Sequence, residues 1–272
     1  WIRRNFPEIF YIVSPGYEEN GGGQSHYATW VGISGDKFHG RFTGPDFSIV
    51  DNPWLDKHIR QNHGPLGAEH PHTEYLMEGD TPSFLGLINN GLNNPERPDF
   101  GGWGGRYELY IPPYKKYMYE PESRPIWTNT QDEVFSEITN QYHTSNHATI
   151  WRWREAYQND FAARIDWSNT PQYTGANHPP VAKLGHAAEI SAKSGETISL
   201  SGMGSSDPDK DKLTYQWILY NEVGTLNVGS INSPKVQNAR SQVATYKLPE
   251  VETVKTLHFI LAVTDDGEPP LT

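Results

Sequence analysis

Two adjacent prolines, Pro179 and Pro180, behind Asn177 and His178, divide this chain into parts of different texture, so that no single fold class spans both. Paired prolines stop any regular element and hold the backbone extended. Before them, Trp153, Tyr157 and Phe161 recur at the spacing of one helix face, which predicts a helix over 151–164. After them come short alternating or apolar runs at 189–192, 196–201, 213–220 and 257–263. The turn signals Ser194-Gly195, Asp207-Pro208 and Asp266-Gly267 separate these runs. That pattern predicts an antiparallel β-sandwich of about 90–100 residues, here 178–272, with Trp217 in its core. The chain ends just after Pro269-Pro270, so the sandwich is expected to lack its last edge strand.

Residues 1–177 read differently. An apolar run at 9–13 has the character of a buried parallel strand. A helix is expected at 54–60 behind Asn52-Pro53, and another at 81–88. This is an α/β region short of strands for a complete sheet, so it reads as the C-terminal part of a larger domain whose N-terminal segment is missing. The opening at Trp1 supports reading the chain as a fragment.

Composition narrows the function classes. The net charge of −11 argues against a nucleic-acid backbone as partner. No apolar run approaches the roughly 18 residues of a membrane span. The absence of Cys excludes disulfides, thiolate chemistry and Cys-based zinc sites. Nine Trp, 15 Tyr and 10 Phe can build a core where aliphatic residues are few.

The densest candidate site lies at 77–107. Asp80 precedes Thr81-Pro82 and an apolar run, the signature of a helix N-cap, and its carboxylate either caps backbone N–H groups or faces a ligand. Glu78 alternates with it and is a candidate to share a cation or touch substrate. Further on, Gly101, Gly102, Gly104 and Gly105 surround Trp103, followed by Arg106 and Tyr107. Glycines let a backbone approach something closely, and Trp103 is a candidate platform for a sugar ring, with Arg106 a bidentate donor. The plainer alternative is that Trp103 packs on its own loop. His63, in a Gly-Pro turn, is a candidate catalytic or substrate-binding group. His143 and His147 have helical metal spacing but lack the Glu of a zincin and sit in poor helix sequence.

A second acidic group is Asp207, Asp209 and Asp211, with Asp265 and Asp266 expected near the same end of the sandwich. The run opens like an EF-hand loop, but Lys212 replaces Gly at the sixth position and Ile218 replaces Glu at the twelfth. The open readings are an inter-strand calcium site of cadherin or PKD type and an Asp-Pro turn held by its own hydrogen bonds.

The runs FYIVSPG, ATWVGISGD, WLDKHIRQNHGPLGA, MEGDTPSFLGLINNGLNNPERPDFGGWGGRY, NDFAARIDW and NHPPVA together resemble the cellulose-binding, nucleoside-hydrolase-like family. The resemblance implies a nucleoside-hydrolase-like α/β domain followed by an immunoglobulin-like sandwich, in an exported protein, secreted or periplasmic. Nucleoside hydrolases hold Ca²⁺ with an N-terminal Asp-rich motif and a late Asp in a His-Asp-Pro pattern. The similar Gly79-Asp80-Thr81-Pro82 makes Asp80 the implied calcium ligand, with Gly79 in place of the His that serves the leaving base. The catalytic carboxylates would lie upstream of Trp1. The expected activity is calcium-dependent hydrolysis of N- or O-glycosyl bonds, on a polysaccharide, oligosaccharide or nucleoside. The alternatives are a non-catalytic binder of cellulose or another polysaccharide, and an inactive hydrolase relative carrying a spacer domain.

Overall fold

The computed structural model describes residues 1–12, 43–73, 82–110, 126–226 and 234–272. The chain divides into two compact units. The first holds Trp1–Val50 and Thr73–Arg154, and the second holds Asp51–His72 and Glu155–Thr272.

In the first unit, α1 (Ile2–Asn5) is followed by a turn and then by Ile12, which meets a strand at one point. Strand β1 (Tyr107–Tyr110) pairs antiparallel with β2 (Ile126–Asn129), and Ile12 forms a parallel bridge to Trp127. Phe10 sets its ring edge-on to Tyr107 and Trp127 at 5.6 and 5.7 Å. Of the run expected as a buried parallel strand at 9–13, Ile12 makes a single parallel bridge, Ile9 is exposed, and Val13 lies outside the described residues, so among the described residues the run is one bridge and not a strand. The segment expected as a helix at 81–88 is a 3-10 helix, Pro82–Leu87, that buries Leu85. With Ser83 and Gly86 inside so short a segment, helix propensity is too weak to sustain an α-helix.

Strands β3 (Asp132–Ser136) and β4 (Gln141–Ser145) form a hairpin whose turn includes Asn140 at φ 53°, a left-handed conformation Asn tolerates. Its inner face carries the buried Asp132 and Ser136, as the two-residue strand period requires. Helix α4 (Ala148–Trp151) follows, with all four residues buried.

The second unit opens with α2 (Asn52–Leu55), which continues as a π-helical turn through Asp56–Arg60. The Asp51 side chain caps it by accepting the Trp54 N–H, and Pro53 stands in its first turn. Buried Arg60 ties this helix to itself and to the chain beyond: Nε bonds Asp56 at 2.7 Å, while its Nη atoms donate to the Asn52 and Pro71 carbonyls. Helix α3 (Gly64–Ala68) packs so closely that a Cβ on Gly67 would stand 2.0 Å from the Ile59 carbonyl oxygen. Only glycine fits there. The helix expected at 151–164 is present as α4 and the 16-residue α5 (Arg154–Asn169), which buries Tyr157, Gln158, Ala162 and Ala163.

Beyond the prolines the region is sheet-rich. Strand β5 (Thr197–Ser201) pairs with β7 (Val243–Lys247), and β6 (Thr214–Leu219) pairs with β8 (Phe259–Thr264), both antiparallel. The two pairs share one core: Leu200 of β5, Trp217 of β6 and Ala244 of β7 form a buried cluster against which Phe259 and Leu261 of β8 pack. Trp217 fills the core position its run predicts, and its indole N–H donates to the Ser241 carbonyl at 3.2 Å. The run at 189–192 is irregular and leaves Ile190 exposed, so this expected strand does not form.

Candidate functional site

Asp80 and Glu78 lie outside the described residues, at 74–81. The calcium that the resemblance implies beside Asp80 therefore has no described ligand geometry.

The Gly-rich loop is described, and it is a packed turn rather than an open platform. Gly101 and Gly105 hold φ values of 74° and 105°, where side chains with a Cβ are strained. A Cβ on Gly102 would fall 1.8 Å from Asn93 Oδ1. The glycines thus answer to backbone twist and to Asn93. Trp103, expected to be poorly suited to a core, is 3% exposed. Arg106 is likewise buried: its Nε donates to Asp132 Oδ1 at 2.7 Å and its Nη2 to the Gln131 carbonyl at 2.7 Å. Arg152 Nη1 supplies Asp132 Oδ2 at 2.8 Å, so one wholly buried carboxylate is shared by two guanidinium groups. Tyr107 donates its hydroxyl to the Gly104 carbonyl. In this conformation Trp103, Arg106 and Tyr107 build the interior of the unit instead of a substrate surface.

His63 is also held. Its Nδ1 meets Asp166 Oδ1 at 2.5 Å and its Nε2 meets the Lys57 carbonyl at 2.9 Å. Both ring nitrogens are thus engaged by groups of the protein itself. His143 sits in β4 and His147 just before α4, so they do not share a helix face.

The acidic residues of the second unit do converge. One ligand oxygen each from Asp207, Asp209 and Asp211 lies within 4.8 Å of the others. Asp207 Oδ1 accepts the N–H groups of Asp209 and Asp211, which curls the turn and turns its carboxylates together. Asp209 Oδ2 accepts the His178 N–H at 2.8 Å, and the His178 ring stacks on Tyr173 at 3.6 Å. Asp265, at the end of β8, is 3% exposed; its Oδ1 accepts from Asn177, Gly267 and Leu271. Burial raises the pKa of Asp211 above the ordinary carboxylate value, and the charges of Asp207, Asp265, Asp266 and Asp209 add to the effect. Burial and Asp207 likewise raise Asp265, against the lowering effect of its hydrogen bonds.

A surface that the sequence reading missed is on the β3–β4 hairpin. Phe135 and Tyr142 are cross-strand partners on the outer face, 43% and 40% exposed, with ring centroids 5.2 Å apart and planes inclined at 62°. The available signal was the pairing of Phe135 and Tyr142 about the turn at Asn140, obscured by the polar residues between them.

Among the described residues no helix is long and apolar enough to cross a membrane. Residues 1–107 match the family described as cellulose-binding Sde182, nucleoside hydrolase-like domain. Residues 197–272 match the family described as cellulose-binding protein Sde0182, C-terminal domain. No curated protein matches the chain. Among solved structures it is similar to a nucleoside hydrolase-related hypothetical protein from Saccharophagus degradans that is associated with carbohydrate metabolism. The identity is 31% and the TM-score 0.63, over 100% of this chain and 57% of that one. The chain thus spans little more than half the length of that relative. A nucleoside-hydrolase-like N-terminal region and a sheet-rich C-terminal region, each matched in turn, are what this chain shares with the families described as cellulose-binding.

Proposed function

We propose that the protein binds a polysaccharide outside the cell, with cellulose or a related β-linked glucan as ligand. The observation that carries this reading is the agreement of two matches, at 1–107 and 197–272, to families described as cellulose-binding. The exposed Phe135–Tyr142 pair supports it, since aromatic rings present faces on which sugar rings stack much as bases do. Planes inclined at 62° do not both lie flat on one crystal face, so the pair suits a single glucan chain better than a crystalline sheet. We read the β5–β7 and β6–β8 pairs as facing halves of an immunoglobulin-like sandwich, supported by their common core around Trp217.

A second reading is favoured by the nucleoside-hydrolase-like match at 1–107, which includes Asp80. In it the protein hydrolyses N- or O-glycosyl bonds, with Asp80 as one calcium ligand and Glu78 beside it. The bound metal would lower the pKa of a water and so supply the nucleophile.

Retention of the protein on amorphous and microcrystalline cellulose, and its retardation in gels containing soluble glucans, tests the first reading. Binding with no release of reducing ends or free base is the expected result, and absence of retention on every glucan overturns it. Calcium-dependent turnover of cello-oligosaccharides or nucleosides, lost in Asp80→Asn, would establish the second.

A further inference from the structure

We infer that Asp207, Asp209, Asp211 and Asp265 form a calcium site that fastens the loop between β5 and β6 to the end of β8. Acidic turns are common without ions, and the cluster alone does not carry this. The deciding observation is Asp265: it is 97% removed from solvent, yet among the described residues its Oδ2 has no hydrogen-bond partner, while Oδ1 takes three. Asp207 repeats the pattern, with Oδ1 accepting two backbone N–H groups and a buried Oδ2 accepting none. A buried carboxylate oxygen without a partner is costly, and more so when other carboxylates surround it. Among the described residues no Lys or Arg side chain pairs with Asp207, Asp211 or Asp265. Asp265 stands beside the cluster: the charge of Asp207 reaches it, and the charges of Asp207 and Asp265 both reach Asp211.

A divalent cation satisfies all of these groups at once. Oxygen donors from several carboxylates favour a hard ion, and Ca²⁺ accepts many protein oxygens in loose geometry, whereas Mg²⁺ keeps its waters. The ligands come from two distant stretches, 207–211 and 265. The linker is tied in from outside: His178 N–H holds Asp209, and Asn177 Nδ2 bonds both Asp265 and the Pro269 carbonyl. An ion here would cross-link these two stretches directly, with the linker held to both by hydrogen bonds. Extracellular calcium modules of this kind bind at about 10⁻⁴–10⁻³ M.

Isothermal titration of the chelator-treated chain with CaCl₂ tests this, using Asp211→Asn, Asp265→Asn and Asp80→Asn. Asp211→Asn is the clean variant, because among the described residues no hydrogen bond reaches its carboxylate. Asp265→Asn also loses acceptors for backbone groups, so thermal unfolding in chelator first checks that it folds. The expected result is one equivalent of binding that Asp211→Asn weakens by about 10- to 100-fold or more and Asp80→Asn leaves intact. Calcium should also raise the melting temperature of the wild type by several degrees, and of Asp211→Asn hardly at all. Absence of calcium heat overturns the site. So does an equivalent that survives in Asp211→Asn but vanishes in Asp80→Asn.

Discussion

Arg106 Nε donates to Asp132 Oδ1 at 2.7 Å, between a guanidinium 9% exposed and a carboxylate wholly buried. Arg152 completes the group on the second carboxylate oxygen. Removing the shared anion leaves two cations facing each other in the interior. Asp132→Asn should therefore destabilise the protein by about 3–5 kcal/mol, the usual cost of breaking a buried pair. Denaturant unfolding checks it; a change under about 1 kcal/mol would mean that solvent reaches the cluster.

Acid should weaken the second unit in two stages. Burial lowers the pKa of His58 below 6.5, aided by the charges of Lys57 and His63, against the raising effect of Glu268 and Asp166. Burial also lowers His70, more than its bond to the Pro71 carbonyl raises it. A depressed histidine stabilises the fold fully above its unfolded pKa, and that stability is lost as pH falls from about 6.5 through the folded value. Asp56, lowered below 3.8 chiefly by its hydrogen bond from Arg60, keeps its contribution to lower pH and then loses it. Asp211 and Asp265, both raised, act in the opposite sense. Melting temperature from pH 8 to pH 3 should therefore be compared with that of His70→Gln, which flattens the first stage. Superimposable curves would remove the histidines from the account.

Two glycines separate backbone need from open space. Gly102→Ala drives its new methyl into Asn93 and should cost about 1–3 kcal/mol. Among the described residues Gly86→Ala meets only Asn93 Oδ1, at 3.9 Å, and should change stability by under about 1 kcal/mol. Equal unfolding midpoints for both variants would mean that the loop is not packed as described.

What the sequence revealed follows from which signals have one physical cause. Trp217 and the strands around it were legible because alternation over β6 and an apolar run over β8 have few other uses. Strand β7 was not, since its inward positions are Ala244 and Tyr246, too weak a pattern among polar neighbours. Glycine was ambiguous: close approach to a ligand and close approach to Asn93 require the same residue. Hence the loop around Trp103 read as a site although its side chains are buried. Convergence of Asp207, Asp209 and Asp211 was legible from spacing alone, but the unpartnered oxygen of Asp265 is a property of tertiary structure.

The last prediction concerns the exposed hairpin. Phe135 and Tyr142 lie opposite each other in the β3–β4 register, on the face away from Asp132 and Ser136. Phe135 and Tyr142 are 43% and 40% exposed and lie outside the buried core, so truncating either removes chiefly the cross-strand pair, at a cost of about 1 kcal/mol. A sugar stacked on one ring is worth about 1–3 kcal/mol, by analogy with bases on aromatic side chains. Phe135→Ala and Tyr142→Ala should therefore each weaken binding to a soluble β-glucan by about 5- to 100-fold while leaving the melting temperature nearly unchanged. Affinity electrophoresis of wild type, single variants and the double variant on one gel series measures this directly. Because the rings are inclined to each other, the loss should be larger on soluble glucan than on crystalline cellulose. Undiminished glucan affinity in the folded double variant would rule the hairpin out as the contact and leave the polysaccharide to be sought on another face.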